Sequence, residues 1–176
     1  MVKQLSFHML KRDITERVVM PTENKGFSLQ LVEVICESFS KKEKLQAMEV
    51  VPEKLQVAHR VVIEVLLDGS AINVITSLKY LLEDRDVSEI SVRCRFKAEP
   101  FWDLVKIDKE THTVDFEEAL VFTIVPVAFS TTRGYYLARL EGTPLASYPY
   151  PIIQTEDLLR QIKISLPAET VEIDSI

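Results

Sequence analysis

Ala119-Leu-Val-Phe-Thr-Ile-Val-Pro-Val-Ala-Phe129, continued by Ser130-Thr-Thr-Arg-Gly-Tyr-Tyr-Leu-Ala-Arg-Leu-Glu-Gly-Thr-Pro144, is the stretch on which the fold turns. Arg133 is its only charge between Glu118 and Arg139, so the segment is too apolar to lie loosely in water and must be covered. Asp115, Glu117 and Glu118 stand where a helix N-terminus favours negative charge. Proline disfavours helical backbone in the residue before it, so a first helix is expected to stop near Pro126 and a second to run from about Val127 to Glu141. Gly142 suits the left-handed residue that ends a helix, and Pro144 prevents resumption.

Downstream, Thr143-Pro-Leu-Ala-Ser-Tyr-Pro-Tyr-Pro151 carries three prolines and is expected to be extended. Thr155 then caps a last helix with Glu156 and Asp157 in its first turn and Leu158, Leu159 and Ile162 as its stripe. The tail from Leu166 is expected to fray. Upstream, four segments read as strands. In Ser88–Lys97, Ile90, Val92, Cys94 and Phe96 alternate with Ser91, Arg93, Arg95 and Lys97, giving one buried and one solvated face. Val57–Leu67, with His59, Val61, Ile63, Val65 and Leu67 on one side, reads as an inner strand. Phe27–Phe39 is apolar on both sides, and Leu5–Thr15 begins in alternation. Short polar connections favour antiparallel pairing. After Gly69-Ser70, positions 71, 74, 75, 78, 81 and 82 trace one side of a helix with Ser70 as its N-cap. The β-branched Ile72, Val74, Ile75 and Thr76 suit a strand there as well.

A chain of 176 residues forms one domain of ordinary size, able to bury roughly 70% of its unfolded surface without covalent staples. A net charge of −6 opposes binding to phosphate backbones, which excludes nucleic acid as the expected partner. The N-terminus has no apolar stretch of signal-peptide type and no segment reaches membrane-span length, so a cytoplasmic location is expected. Cys36 and Cys94 lie in strand-like runs and are expected to be reduced and structural.

Chemistry-bearing motifs are sparse. His8, His59 and His112 are far apart and no Cys-x-x-Cys pair occurs, so no metal site and no cofactor are expected. Phosphate loop, nucleophile elbow and dinucleotide fingerprint are missing from the sequence, and the chain is not expected to be an enzyme. Hydroxyls in the Ser130-Thr131-Thr132 cluster are expected to bond backbone carbonyls one turn back. Arg133 must either meet a carboxylate across an interface or extend to water, because an unpaired buried charge is costly. Phe101, Trp102, Tyr148 and Tyr150 lie in irregular segments, where they either offer contact area to a peptide or lock two loops onto the core.

Phe129, Arg133 four residues on, Gly142-Thr143 nine residues after that, Pro144, and a helix from Thr155 resemble the signature of the SecB family of export chaperones. Pro126 lies close to the proline that precedes that family's aromatic. Leu5-Ser-Phe-His-Met with Asp13-Ile14 looks like its first strand, and Phe27–Phe39, Val57–Leu67 and Ser88–Leu104 like the next three. The resemblance implies an α+β fold: a four-stranded antiparallel sheet over about residues 3–105, C-terminal helices over about 115–164 packed on one face, and a frayed tail at 165–176. It also implies a homotetramer, a dimer of dimers with helices between subunits, placing Phe129, Arg133, Tyr136, Leu137 and Leu140 at the interface.

The implied activity is ATP-independent holding of unfolded polypeptides, in service of protein export. Leu145, Tyr148, Tyr150, Leu158 and Leu159 line the implied client groove, and Phe101 and Trp102 join them on chemical grounds. The family's export members dock a translocation ATPase on an acidic sheet face; here Arg93, Arg95 and Lys97 give the fourth strand a basic one. SecB-like proteins that guard an antitoxin or serve one dedicated partner are the alternative, and a small-molecule binding protein is a more distant one.

Overall fold

The computed structural model describes residues 26–43, 45, 49–108, 113–160 and 162–165. The expected strand Leu5–Thr15, His8, His112 and the tail from Leu166 lie outside the described residues. Along the chain come β1 (Ser28–Lys41), β2 (Leu55–Leu66), β3 (Ala71–Leu82), β4 (Arg85–Glu99), α1 (Phe101–Leu104), β5 (Val105–Asp108), β6 (Thr113–Phe116), α2 (Glu118–Leu140), α3 (Thr155–Leu159) and β7 (Ile162–Ser165). The molecule is α+β, and among the described residues its main sheet has five strands in mixed pairing, where a four-stranded antiparallel sheet was expected. Its order is β1-β4-β3-β2-β7, with β7 parallel to β2 and the other neighbours antiparallel. β5 and β6 form a separate antiparallel pair.

The segment 71–82 is a central strand, not a helix. β2 and β4 flank it on both sides, and Ile72, Val74, Leu78 and Tyr80 are fully buried on one face with Thr76 between them. Ala71 and the half-buried Ile75 and Leu81 on the other face supplied the apolar positions that imitated a helical stripe. β-branched residues prefer this pleated, doubly flanked site. Ser70 is therefore no N-cap: it stands at φ 46° after a short 3-10 turn at Leu67–Gly69. The β3–β4 turn places Glu83 and Asp84 at φ 52° and 60°, the conformation two-residue hairpins favour for matching strand twist. Lys54 and Gln56 hold these two side chains, at 2.5 Å to Glu83 and 3.2 Å to Asp84.

β1 looked apolar on both sides because two irregularities shift its register against β4, between Leu31 and Glu33 and between Cys36 and Ser38. Leu29 and Leu31 oppose core residues Ala98 and Phe96. Past the first shift Val34 and Cys36 oppose Cys94 and Val92, and past the second Phe39 opposes Ile90. An extra residue in one strand moves every later side chain to the other face, so the inward positions change from odd to even and back.

α2 runs unbroken from Glu118 to Leu140 with Pro126 inside it, instead of dividing there. Proline removes one backbone donor, but Ile124, Val125, Ala128 and Phe129 on either side of it are buried. That packing on β3 and β4 holds the helix across the gap. Gly142 ends the run at φ 76° as expected, and the Leu140 carbonyl accepts from both the Thr143 amide (3.0 Å) and the Thr143 hydroxyl (2.7 Å). Thr131 and Thr132 donate to the carbonyls of Val127 and Ala128 at 2.8 and 2.9 Å, as hydroxyls in an apolar helix should. The last helix is a single turn, Thr155–Leu159, and Ile162 belongs to β7 rather than to its stripe.

Candidate polypeptide-binding surface

The loop after α2 crosses back to the sheet and is fastened there by phenols. A 3-10 turn at Pro144–Ser147 buries Leu145 completely. The Tyr80 hydroxyl donates to the Tyr148 carbonyl (2.5 Å), and the Tyr150 hydroxyl donates to the Ala58 carbonyl on β2 (2.6 Å). Tyr150, 2% exposed, makes ring contacts with Phe129, Tyr80 and Tyr136. Burial raises the pKa of Tyr80 to about 12 and raises those of Tyr136 and Tyr150, so all three phenols stay protonated at neutral pH, with Tyr80 and Tyr150 as the donors. His59 packs edge-on against Phe129 with centroids 6.0 Å apart. Burial lowers its pKa, against the pull of the Asp157 carboxylate on α3.

This aromatic joint answers where the expected client residues lie. Leu145, Tyr150 and Leu158 are interior, Phe101 is buried, and Tyr148 and Leu159 are half-buried. Trp102 alone among them stands open, 57% exposed, stacked edge-on with Phe101 at 5.0 Å. For Phe101 and Tyr150 the loop-locking reading is the one the contacts support. Of the residues expected between subunits, Phe129, Tyr136 and Leu140 are buried within this chain, and Leu137 and Arg133 are half-buried. Arg133 has no ion pair among the described residues.

Other residues supply the open apolar surface. Ile152, 81% exposed, follows directly on Tyr150-Pro151, and Val57 is exposed on β2 next to the Ala58 carbonyl that Tyr150 holds. α2 presents Phe122, Val127 and Tyr135 to solvent, and β1 presents Leu31 and Val32. Sequence reading passed over Val57 because its odd-numbered alternation implies burial; the cover over that face ends before it.

The opposite face of the sheet is a matched charge network rather than a basic surface. Arg93 meets Glu37 and Arg95 meets Glu33, each at 3.3 Å. Arg95 also donates to Asn73 (3.1 Å), whose amide donates to Glu64 (3.3 Å). The carboxylates come from β1 and β2, so β4 read alone misstates the sign of the face. Among the described residues no group of three or more His, Cys, Asp or Glu converges as metal ligands, and no helix is long and apolar enough to cross a membrane. Burial raises the Cys94 thiol to about 11, which makes it an unreactive core group.

Comparison of the chain with models of known protein families and with curated proteins gives no match.

Proposed function

We propose that this chain is a SecB-like, ATP-independent chaperone that binds unfolded or non-native polypeptides through apolar surface beside its crossover loop. The observation that carries the reading is the pairing of a firmly anchored loop with side chains left open next to it: Ile152 and Val57 flank the Tyr150 anchor. Apolar side chains exposed on a rigid support are what a holdase needs, because non-native chains differ from folded ones in displaying apolar segments. The order of elements supports it too. Hairpin-joined β2, β3 and β4, with β1 beside β4, lead into one long helix, a Gly-Thr stop and a proline loop returning to the sheet. The exposed α2 side chains Phe122, Val127 and Tyr135 are those we assign to contacts between subunits of an oligomer.

The outer sheet face carries matched charges rather than the acidic surface on which a translocation ATPase would dock, and service to one dedicated partner, such as an aggregation-prone antitoxin, is the alternative reading. Aggregation assays separate the readings. Suppression of aggregation for several unrelated denatured proteins at stoichiometric ratio, without nucleotide, is the expected result. Protection of none of them rules out the chaperone, and protection of a single one leaves the dedicated partner.

A further inference from the structure

We propose that β7 is a built-in stand-in for a client strand, and that extended polypeptide with an apolar residue at every second position adds to the edge of β2 when β7 leaves it. This rests on the chaperone reading and specifies how a client is held.

β2 is the edge of the antiparallel part of the sheet, and β7 covers only part of it. The pairing joins Val61, Val62, Ile63 and Glu64 to Ile162, Lys163, Ile164 and Ser165. Toward the start of β2, Gln56 to Arg60 pairs with β3 on one side and has no strand partner on the other among the described residues. The contact seen there is a side chain, the Tyr150 hydroxyl on the Ala58 carbonyl. An edge of this kind is a template for any extended chain. Main-chain hydrogen bonds supply the affinity and alternate side chains supply the selection.

The side chains along this edge define what is selected. Ile162 and Ile164 lie opposite Val61 and Ile63 and pack against the core, while Lys163 between them is exposed. Apolar, polar, apolar is thus the pattern the edge already accepts from its own chain. The inward row of β2 continues in the other direction through His59 to the exposed Val57, with Ile152 nearby as a further apolar contact. An incoming strand reaches more of the edge than β7 does. β7 is short, parallel, and tethered through the single turn of α3, and parallel pairing is the slightly weaker kind per residue. These properties make it displaceable.

The test locks β7 in the full-length chain. Val62→Cys and Lys163→Cys, which are register partners, are introduced with Cys36→Ser to remove the partly exposed native thiol. Binding of a fluorescein-labelled peptide alternating valine with lysine is followed by anisotropy in the oxidised and reduced states. The expected result is binding at least tenfold weaker when oxidised and restored by reductant. Equal binding in the two states, or no binding in either, overturns the proposal. Aggregation suppression by the reduced protein, measured in parallel, reports separately on the chaperone reading. In the unsubstituted chain, the same peptide should accelerate amide exchange at Ile162 to Ser165; unchanged or slower exchange there refutes displacement.

Discussion

At Thr76 a hydroxyl is buried in the middle of β3 with no hydrogen-bond partner among the described residues. Its strand neighbours in register are Val61 and Val92, so an isosteric methyl has a ready-made site. Thr76→Val is expected to stabilise the fold by about 1 kcal/mol, read from the midpoint of urea unfolding, because it removes a desolvated polar atom. Tyr150 is the opposite case. Tyr150→Phe keeps the ring contacts but leaves the Ala58 carbonyl without its donor, and should cost about 1 kcal/mol in the same measurement. His59 sets a pH dependence. Its folded pKa lies below the ordinary 6.5 through burial, so the unfolded chain takes up a proton first and this contribution to stability is lost as pH falls below 6.5. His59→Gln should flatten the corresponding part of the stability profile between about pH 7 and about pH 5. Asp157→Asn should depress the His59 pKa further, read by proton NMR titration. If His59→Gln leaves the profile unaltered, this ring is not the group responsible.

Among the elements, α2 tests two backbone arguments. Pro126→Ala restores a donor to a helix that already spans the site. It should raise the unfolding temperature, by an amount equivalent to about 1–3 kcal/mol. Gly142→Ala introduces no clash, but at φ 76° it should cost about 1 kcal/mol. The end of α2 was legible in the sequence because one glycine and one proline mark it locally, and β4 was legible because its alternation is strict. Three other features were not. β3 carries apolar residues on both faces, which period alone does not distinguish from a helix. The inward parity of β1 changes at two register shifts that leave no mark in residue type. β7 is four residues long, and only its partner β2, far away in the chain, makes it a strand. The client residues fared likewise: aromatic character identified Tyr150 as important, but not that its hydroxyl would be used inward as a fastening.

For the whole molecule, the decisive quantity is mass in solution. The exposed α2 side chains Phe122, Val127 and Tyr135 are expected to be covered by other copies of the chain. Val127→Glu should therefore shift the native mass from oligomer toward monomer at micromolar concentration, with little change in the circular dichroism of the fold. An unsubstituted chain that is already monomeric removes the oligomer from the proposal. The parallel pairing of β7 also orders events during synthesis. Val61 meets Ile162 across about a hundred residues of chain, a contact that must form late because so long a loop has to close first. While the chain is being made, β2 can already pair with β3, yet the strand that covers its outer edge has still to emerge. Each new copy thus passes through an interval in which that edge is open to neighbouring polypeptide.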